Sequence, residues 1–143
     1  MNATMAKFGY PGTLVARSGG WVALTRPQQA TLGAMVLVCE EPVTAFGQVS
    51  ASAMAGLGGM ISKIETALKG AFQFDKINYL MLMMVDPDVH FHVIPRYASE
   101  RTFAGRAFAD PFWPKPPDLT QPAPQSEEVL AAIRDKIKAH WPA

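Results

Sequence analysis

His90 and His92 stand one residue apart in the stretch Asp86 to Tyr97, DPDVHFHVIPRY, and the chain holds only one other histidine, His140. A neutral imidazole nitrogen is nucleophilic near pH 7, and once bonded to phosphorus it is again a good leaving group. Two such rings on one face can divide a displacement between them, one attacking while the other donates a hydrogen bond or a proton to the departing oxygen. Asp88, two residues upstream, adds a carboxylate suited to holding a ring in one tautomer or stabilising its charged form. Val89, Phe91 and Val93 alternate with Asp88, His90 and His92, as a half-buried strand demands. Successive polar members are then about 6.6 Å apart along the backbone.

The rest of the chain has to position that face. Thr13 to Arg17 and Trp21 to Thr25 are short β-prone runs around Ser18-Gly19-Gly20, which predicts a hairpin, and Pro27 ends its second strand. Leu32 to Cys39 is a continuous apolar run too short for a typical helix, hence a central strand, with Gly33 near its start where a backbone can approach a ligand closely. From Ser50 onward, Met54, Leu57, Ile61, Ile64 and Leu68 recur at three- and four-residue steps and predict a long helix capped by Ser50 and ended by Gly70. Gly56, Gly58 and Gly59 on its early turns suggest close packing against a sheet or a partner. Lys76 to Val85 is evenly apolar and reads as a strand covered on both faces, turned back by Asp86-Pro87 into the histidine strand. Met1 to Gly12 reads as an arm or short edge segment. Residues 98–125 hold half of the chain's 12 prolines and read as an irregular wrap in which Phe103, Phe108, Phe112 and Trp113 pack on the sheet or a partner. Residues 126–141 read as a final helix, with Ser126 as cap, Glu127 and Glu128 at its positive end, and Lys136, Lys138 and His140 at its negative end.

With 143 residues the chain has the length of a single domain, and 13 basic against 12 acidic side chains give a formal charge of +1. That balance argues against specific nucleic-acid binding or an anionic membrane surface and leaves a small ligand or a protein partner. The lone Cys39 and the absence of a leader-like segment lead to the expectation of a cytoplasmic protein. No apolar stretch is long enough to span a bilayer. Cys39 and the run Met81, Met83 and Met84 read as core filling.

His90-Phe91-His92-Val93-Ile94-Pro95-Arg96 resembles the second half of the signature of the histidine-triad family, in which three histidines alternate with apolar residues and two apolar residues follow. Upstream, Val22 to Thr25, a proline turn and Leu32-Gly33-Ala34-Met35-Val36-Leu37-Val38 resemble the strand, turn and glycine-led strand of the fragile-histidine-triad, or diadenosine polyphosphate hydrolase, branch. The likeness runs from Thr13 to Tyr97. It implies an α+β fold in which an antiparallel five-stranded sheet packs with a long central helix and a C-terminal helix, here as one domain with its core over 13–97. It also implies a nucleotidyl hydrolase or transferase that cleaves at the α-phosphate of a dinucleoside polyphosphate or related nucleotide through a nucleotidyl-histidine intermediate. The family's nucleophile falls on His90, its last histidine on His92 and its first on Asp88, while Leu24, Arg26 and Gly33 fall where sugar and base are held. The likeness implies a homodimer whose sheets join across the interface. No metal is required in such an enzyme, although a divalent cation can accompany a polyphosphate substrate.

Three departures qualify the resemblance. Asp88 replaces a histidine, Ala34 stands where relatives often carry another, and the glutamine- and serine-bearing phosphate loop is replaced by the short turn Met84-Val85-Asp86-Pro87. Arg96, Arg101 and Arg106 are then the expected phosphate contacts. Two alternatives stay open: a nucleotide-binding protein of this fold without catalysis, and a metal site built from Asp88, His90 and His92.

Overall fold

Alternating apolar side chains give one sheet two separate apolar surfaces, and different segments of the chain cover each. The computed structural model describes all 143 residues. Strands β1 (Leu14–Ser18), β2 (Trp21–Thr25), β3 (Met35–Cys39), β4 (Lys76–Leu80) and β5 (His90–Arg96) form an antiparallel sheet in the order β1-β2-β3-β5-β4. Helix α1 (Ala3–Lys7) precedes the sheet, α2 (Ala51–Phe72) crosses from β3 to β4, and α3 (Glu127–Ala139) closes the chain. The architecture is the α+β fold expected above.

On one face Trp21, Ala23, Met35, Leu37, Cys39 and Val93 pack beneath Leu57, Met60, Ile64 and Leu68 of α2 and Ile133 and Ile137 of α3. The Trp21 indole N–H donates to the Ala53 carbonyl at 2.8 Å, which fixes where α2 crosses β2. Gly56 is what allows that approach, because a Cβ there would lie 2.3 Å from the Gly19 carbonyl oxygen in the β1–β2 turn. The close packing expected of the helix glycines therefore belongs to Gly56, while Gly58 and Gly59 face open space. Ser50 caps α2 as expected, accepting from Ala53 N at 3.0 Å, but the helix runs past Gly70 and is ended by Gln73 in the left-handed conformation.

The opposite face is built from Val22, Leu24, Val36 and Val38 and is covered by Met5 and Phe8. Residues 1–12 are thus a lid on the second core, correcting the expectation of an arm. Asn2 caps α1 by accepting from Met5 N at 2.9 Å. Two further expectations give way. The strand foreseen over Lys76 to Val85 stops at Leu80 and lies at the sheet edge, and Met84 and Val85 are 88% and 82% exposed, so the methionine run is core filling only at Met81 and Met83. The stretch 98–125 contains a β-hairpin, β6 (Arg101–Phe103) and β7 (Arg106–Phe108), turned by Ala104 and Gly105 at positive φ. Phe103 and Phe108 of that hairpin do pack against the core, as expected, with Phe103 edge-on to Phe72.

Candidate active site

Strand β5 brings the two imidazoles together on the α1-covered face. His90 pairs with Val38 and His92 with Val36 of β3, and both rings are buried. Their centroids are 5.1 Å apart in an edge-on arrangement, and Phe8 packs at 6.1 Å from one and 5.8 Å from the other. The strand register sets the spacing of the rings, and the phenyl group limits their rotation.

The Nδ1 atom of His90 lies 2.6 Å from the backbone carbonyl of Asp88. A carbonyl only accepts, so Nδ1 carries a proton, and in the neutral ring the lone pair lies on Nε2. The residue in the first histidine's place therefore acts through its main chain. Its carboxylate is taken up by α1 and makes no hydrogen bond to either ring, accepting from Thr4 N at 3.1 Å and Thr4 Oγ1 at 2.9 Å, so it ties α1 to the start of β5. This corrects the expectation that the Asp88 carboxylate holds a ring in one tautomer, since the contact to His90 is made by the Asp88 carbonyl. It also removes the third ligand from the Asp88, His90 and His92 metal reading, and no group of three His, Cys, Asp or Glu side chains anywhere in the chain is arranged to hold a metal ion.

Burial lowers the pKa of His92 from its ordinary 6.5 to about 4, and the neighbouring Arg26 guanidinium adds to the effect. His92 is neutral at pH 7. It can donate one hydrogen bond but cannot serve as a ready source of a proton, and its buried Nδ1 has no partner within the protein.

A cleft of about 380 Å³ opens beside the rings, lined by His90, His92, Arg26, Lys7, Phe8 and Met83, among others. Arg26 follows β2 in a link held by Gln29, whose amide donates to the Arg26 carbonyl at 2.7 Å and the Ala34 carbonyl at 2.8 Å and accepts from Gly33 N at 2.8 Å. Leu119 and Thr120 form another wall. They reach it because the chain beyond them is pinned to the same link, Gln29 N donating to the Ala123 carbonyl and Ala123 N to Gln28 Oε1.

Of the candidate residues, His90, His92 and Arg26 meet at the cleft, and the others do not. Leu24 is wholly buried under Met5 and Phe8. Gly33 has φ +85 and packs under α2, where a Cβ would stand 2.9 Å from Phe72. Arg96 faces the same side as the histidines, yet Nε and one terminal nitrogen grip Asp110 at 2.7 and 3.2 Å, and its remaining contacts are Asn78 and the Lys115 carbonyl. It clamps the proline-rich segment to the sheet, with four of its five N–H donors engaged, and does not line the histidine cleft. Arg101 donates to the last carbonyls of α2, and Arg106 is exposed on the hairpin. Sequence reasoning missed Lys7, Phe8, Leu119 and Thr120. The Asn2 cap was the available signal for the first two. Nothing local marks the others, which arrive through long-range contacts.

No protein-family model and no curated protein sequence matches the chain. Solved structures do. A histidine triad protein from Marinobacter aquaeolei VT8 superposes with a TM-score of 0.77 at 21% identity over 99% of this chain and 94% of that one. A histidine triad protein from Sinorhizobium meliloti 1021 gives 0.76 at 20% identity, covering 98% and 95%. The fold is that of the histidine-triad proteins. A third neighbour with the histidine-triad fold, described as a hypothetical histidine triad nucleotide-binding protein from Sulfolobus tokodaii, gives 0.65 at 16% identity over 95% and 90%. In all three cases the cover is nearly end to end, so residues 98–143 belong to the histidine-triad fold and are not an appendage to it.

Proposed function

We propose that the protein is a nucleotidyl hydrolase or transferase in which His90 is the nucleophile. The observation that carries this reading is the 2.6 Å contact from His90 Nδ1 to the Asp88 carbonyl, which in the neutral ring puts the lone pair on Nε2 of a residue that lines the cleft. In the first step the Nε2 lone pair bonds to the α-phosphorus of a nucleotide while the bond from phosphorus to the leaving oxygen breaks. The positive charge left on the imidazole is shared with Nδ1–H and stabilised by the carbonyl it faces. Neutral His92 donates a hydrogen bond to the phosphoryl group or the departing oxygen, which draws its proton from solvent or stays ionised. Water or another acceptor then attacks phosphorus, the phosphorus–nitrogen bond breaks and His90 is regenerated.

The substrate class is a dinucleoside polyphosphate or related nucleotide. The chemistry needs no metal from the protein, and a divalent cation enters, if at all, with the phosphate chain. A homodimer joined sheet to sheet follows from the same family likeness, and β4 supports it: it is an edge strand, whereas α3 packs over β1. A cytoplasmic location rests on the single buried Cys39; no helix is long and apolar enough to cross a membrane.

The test is a panel of mono- and dinucleotides screened for hydrolysis with wild type and His90→Ala. Turnover should fall at least about 10³-fold in the variant while its melting curve stays cooperative. Retained turnover would exclude His90 as the nucleophile. Tight nucleotide binding without turnover in the wild type would instead support the second reading, a nucleotide-binding protein that has lost catalysis.

A further inference from the structure

The charges around the histidine cleft do not cancel. Lys7 and Asp86 neutralise each other across its mouth, their nitrogen and oxygen 2.7 Å apart. Both histidine rings lie in the wall, and His92 is held neutral. Arg26 remains. It is 7% exposed, forms no ion pair with any carboxylate, gives one terminal nitrogen to the Gln28 carbonyl at 2.7 Å and leaves Nε buried without a partner. Burying a guanidinium with an unsatisfied N–H is unfavourable unless a counter-charge arrives, and the cleft is where one can arrive.

We propose that Arg26 is the phosphoryl-oxygen ligand of this site, replacing the donors of the phosphate loop that the turn Met84 to Pro87 lacks. This rests on the nucleotide reading above but differs from the sugar- and base-holding place given to Arg26 by family likeness. The planar fork suits it to two oxygens of one phosphate, and only one of its five N–H donors is engaged within the protein. Because the Arg26 carbonyl accepts from Gln29, its N–H donates to the Ala34 carbonyl and one terminal nitrogen donates to the Gln28 carbonyl, the guanidinium is positioned before the ligand binds. Arg26 and His92 line the same cleft, so an anion held by Arg26 would lie in the cavity that the imidazole faces.

Calorimetry with AMP, adenosine and inorganic pyrophosphate tests this on wild type, Arg26→Gln and Arg26→Lys. Wild type should bind AMP about ten- to a hundredfold more tightly than adenosine, the range for a charge-assisted contact. In Arg26→Gln that ratio should shrink to near one with adenosine affinity held, and Arg26→Lys should recover part of it. An unchanged ratio in Arg26→Gln overturns the proposal. Should that variant fail to fold, nitrogen-15 spectra of the wild type decide: the Arg26 Nε–H signal should move on pyrophosphate titration, and a stationary signal overturns the assignment. A moving signal without nucleotide turnover would uphold the anion site and sink the enzymatic reading. Turnover dependent on His90 with the AMP ratio intact in Arg26→Gln would do the reverse.

Discussion

At the scale of single residues, burial of His92 couples folding to pH. Its pKa is about 4 in the folded chain and near 6.5 when exposed. The unfolded chain therefore binds more protons between those values. The stability contributed by keeping this ring neutral is present above pH 6.5 and is lost as pH falls from there towards 4, by about 3 kcal/mol in total. Urea unfolding of wild type against His92→Gln across that range should show the dependence flatten in the variant; equal slopes would mean that the ring is not held neutral. Asp88 yields a contrasting prediction. Since its carboxylate holds Thr4, Asp88→Ala should lower stability by about 1–3 kcal/mol and speed amide exchange in α1. Turnover should fall far less than in His90→Ala, because the carbonyl facing His90 remains. The identity of the two histidines and their shared face were legible in the alternation of residues 88–93. The direction of the Asp88 side chain was not, because its partner lies 84 positions away.

Among the elements, β3 was readable as an unbroken apolar run buried on both faces, and α2 as a helix with one apolar stripe. The α2 periodicity and the Ser50 and Ser126 caps lie where pattern and capping chemistry place them. Strand β4 was misread because an apolar composition does not separate a covered strand from an edge strand running into an exposed loop. Helix α1, with five residues, is too short to show a period. The α2 glycines offer an element-scale test. Gly56→Ala should destabilise by about 1–3 kcal/mol, because its methyl group would push the helix off the Gly19 turn. Gly58→Ala and Gly59→Ala face no neighbour and should each stabilise by up to about 1 kcal/mol. Thermal melts of the three variants check the contrast. Three similar values would argue that α2 does not sit against the hairpin turn.

For the molecule as a whole, the sheet divides labour between its faces. The α2 and α3 side holds the larger core, and the α1 side holds the smaller core, the imidazoles and the cleft. The proline-rich segment belongs to the second task, since the Arg96–Asp110 clamp and the Gln28–Ala123 contacts carry Leu119 and Thr120 to the cleft wall. Assembly is tested at this scale. Sedimentation at micromolar concentration should give a dimer; a monomeric wild type would contradict the sheet-to-sheet arrangement. The central claim is that the bond to phosphorus forms at His90. Rapid quenching of the wild-type protein with a hydrolysed nucleotide, followed by peptide mass spectrometry, measures it most directly. The account predicts one nucleoside monophosphate attached to the peptide at His90 and none in His90→Ala, whereas turnover with no adduct, or an adduct on any other residue, would contradict it.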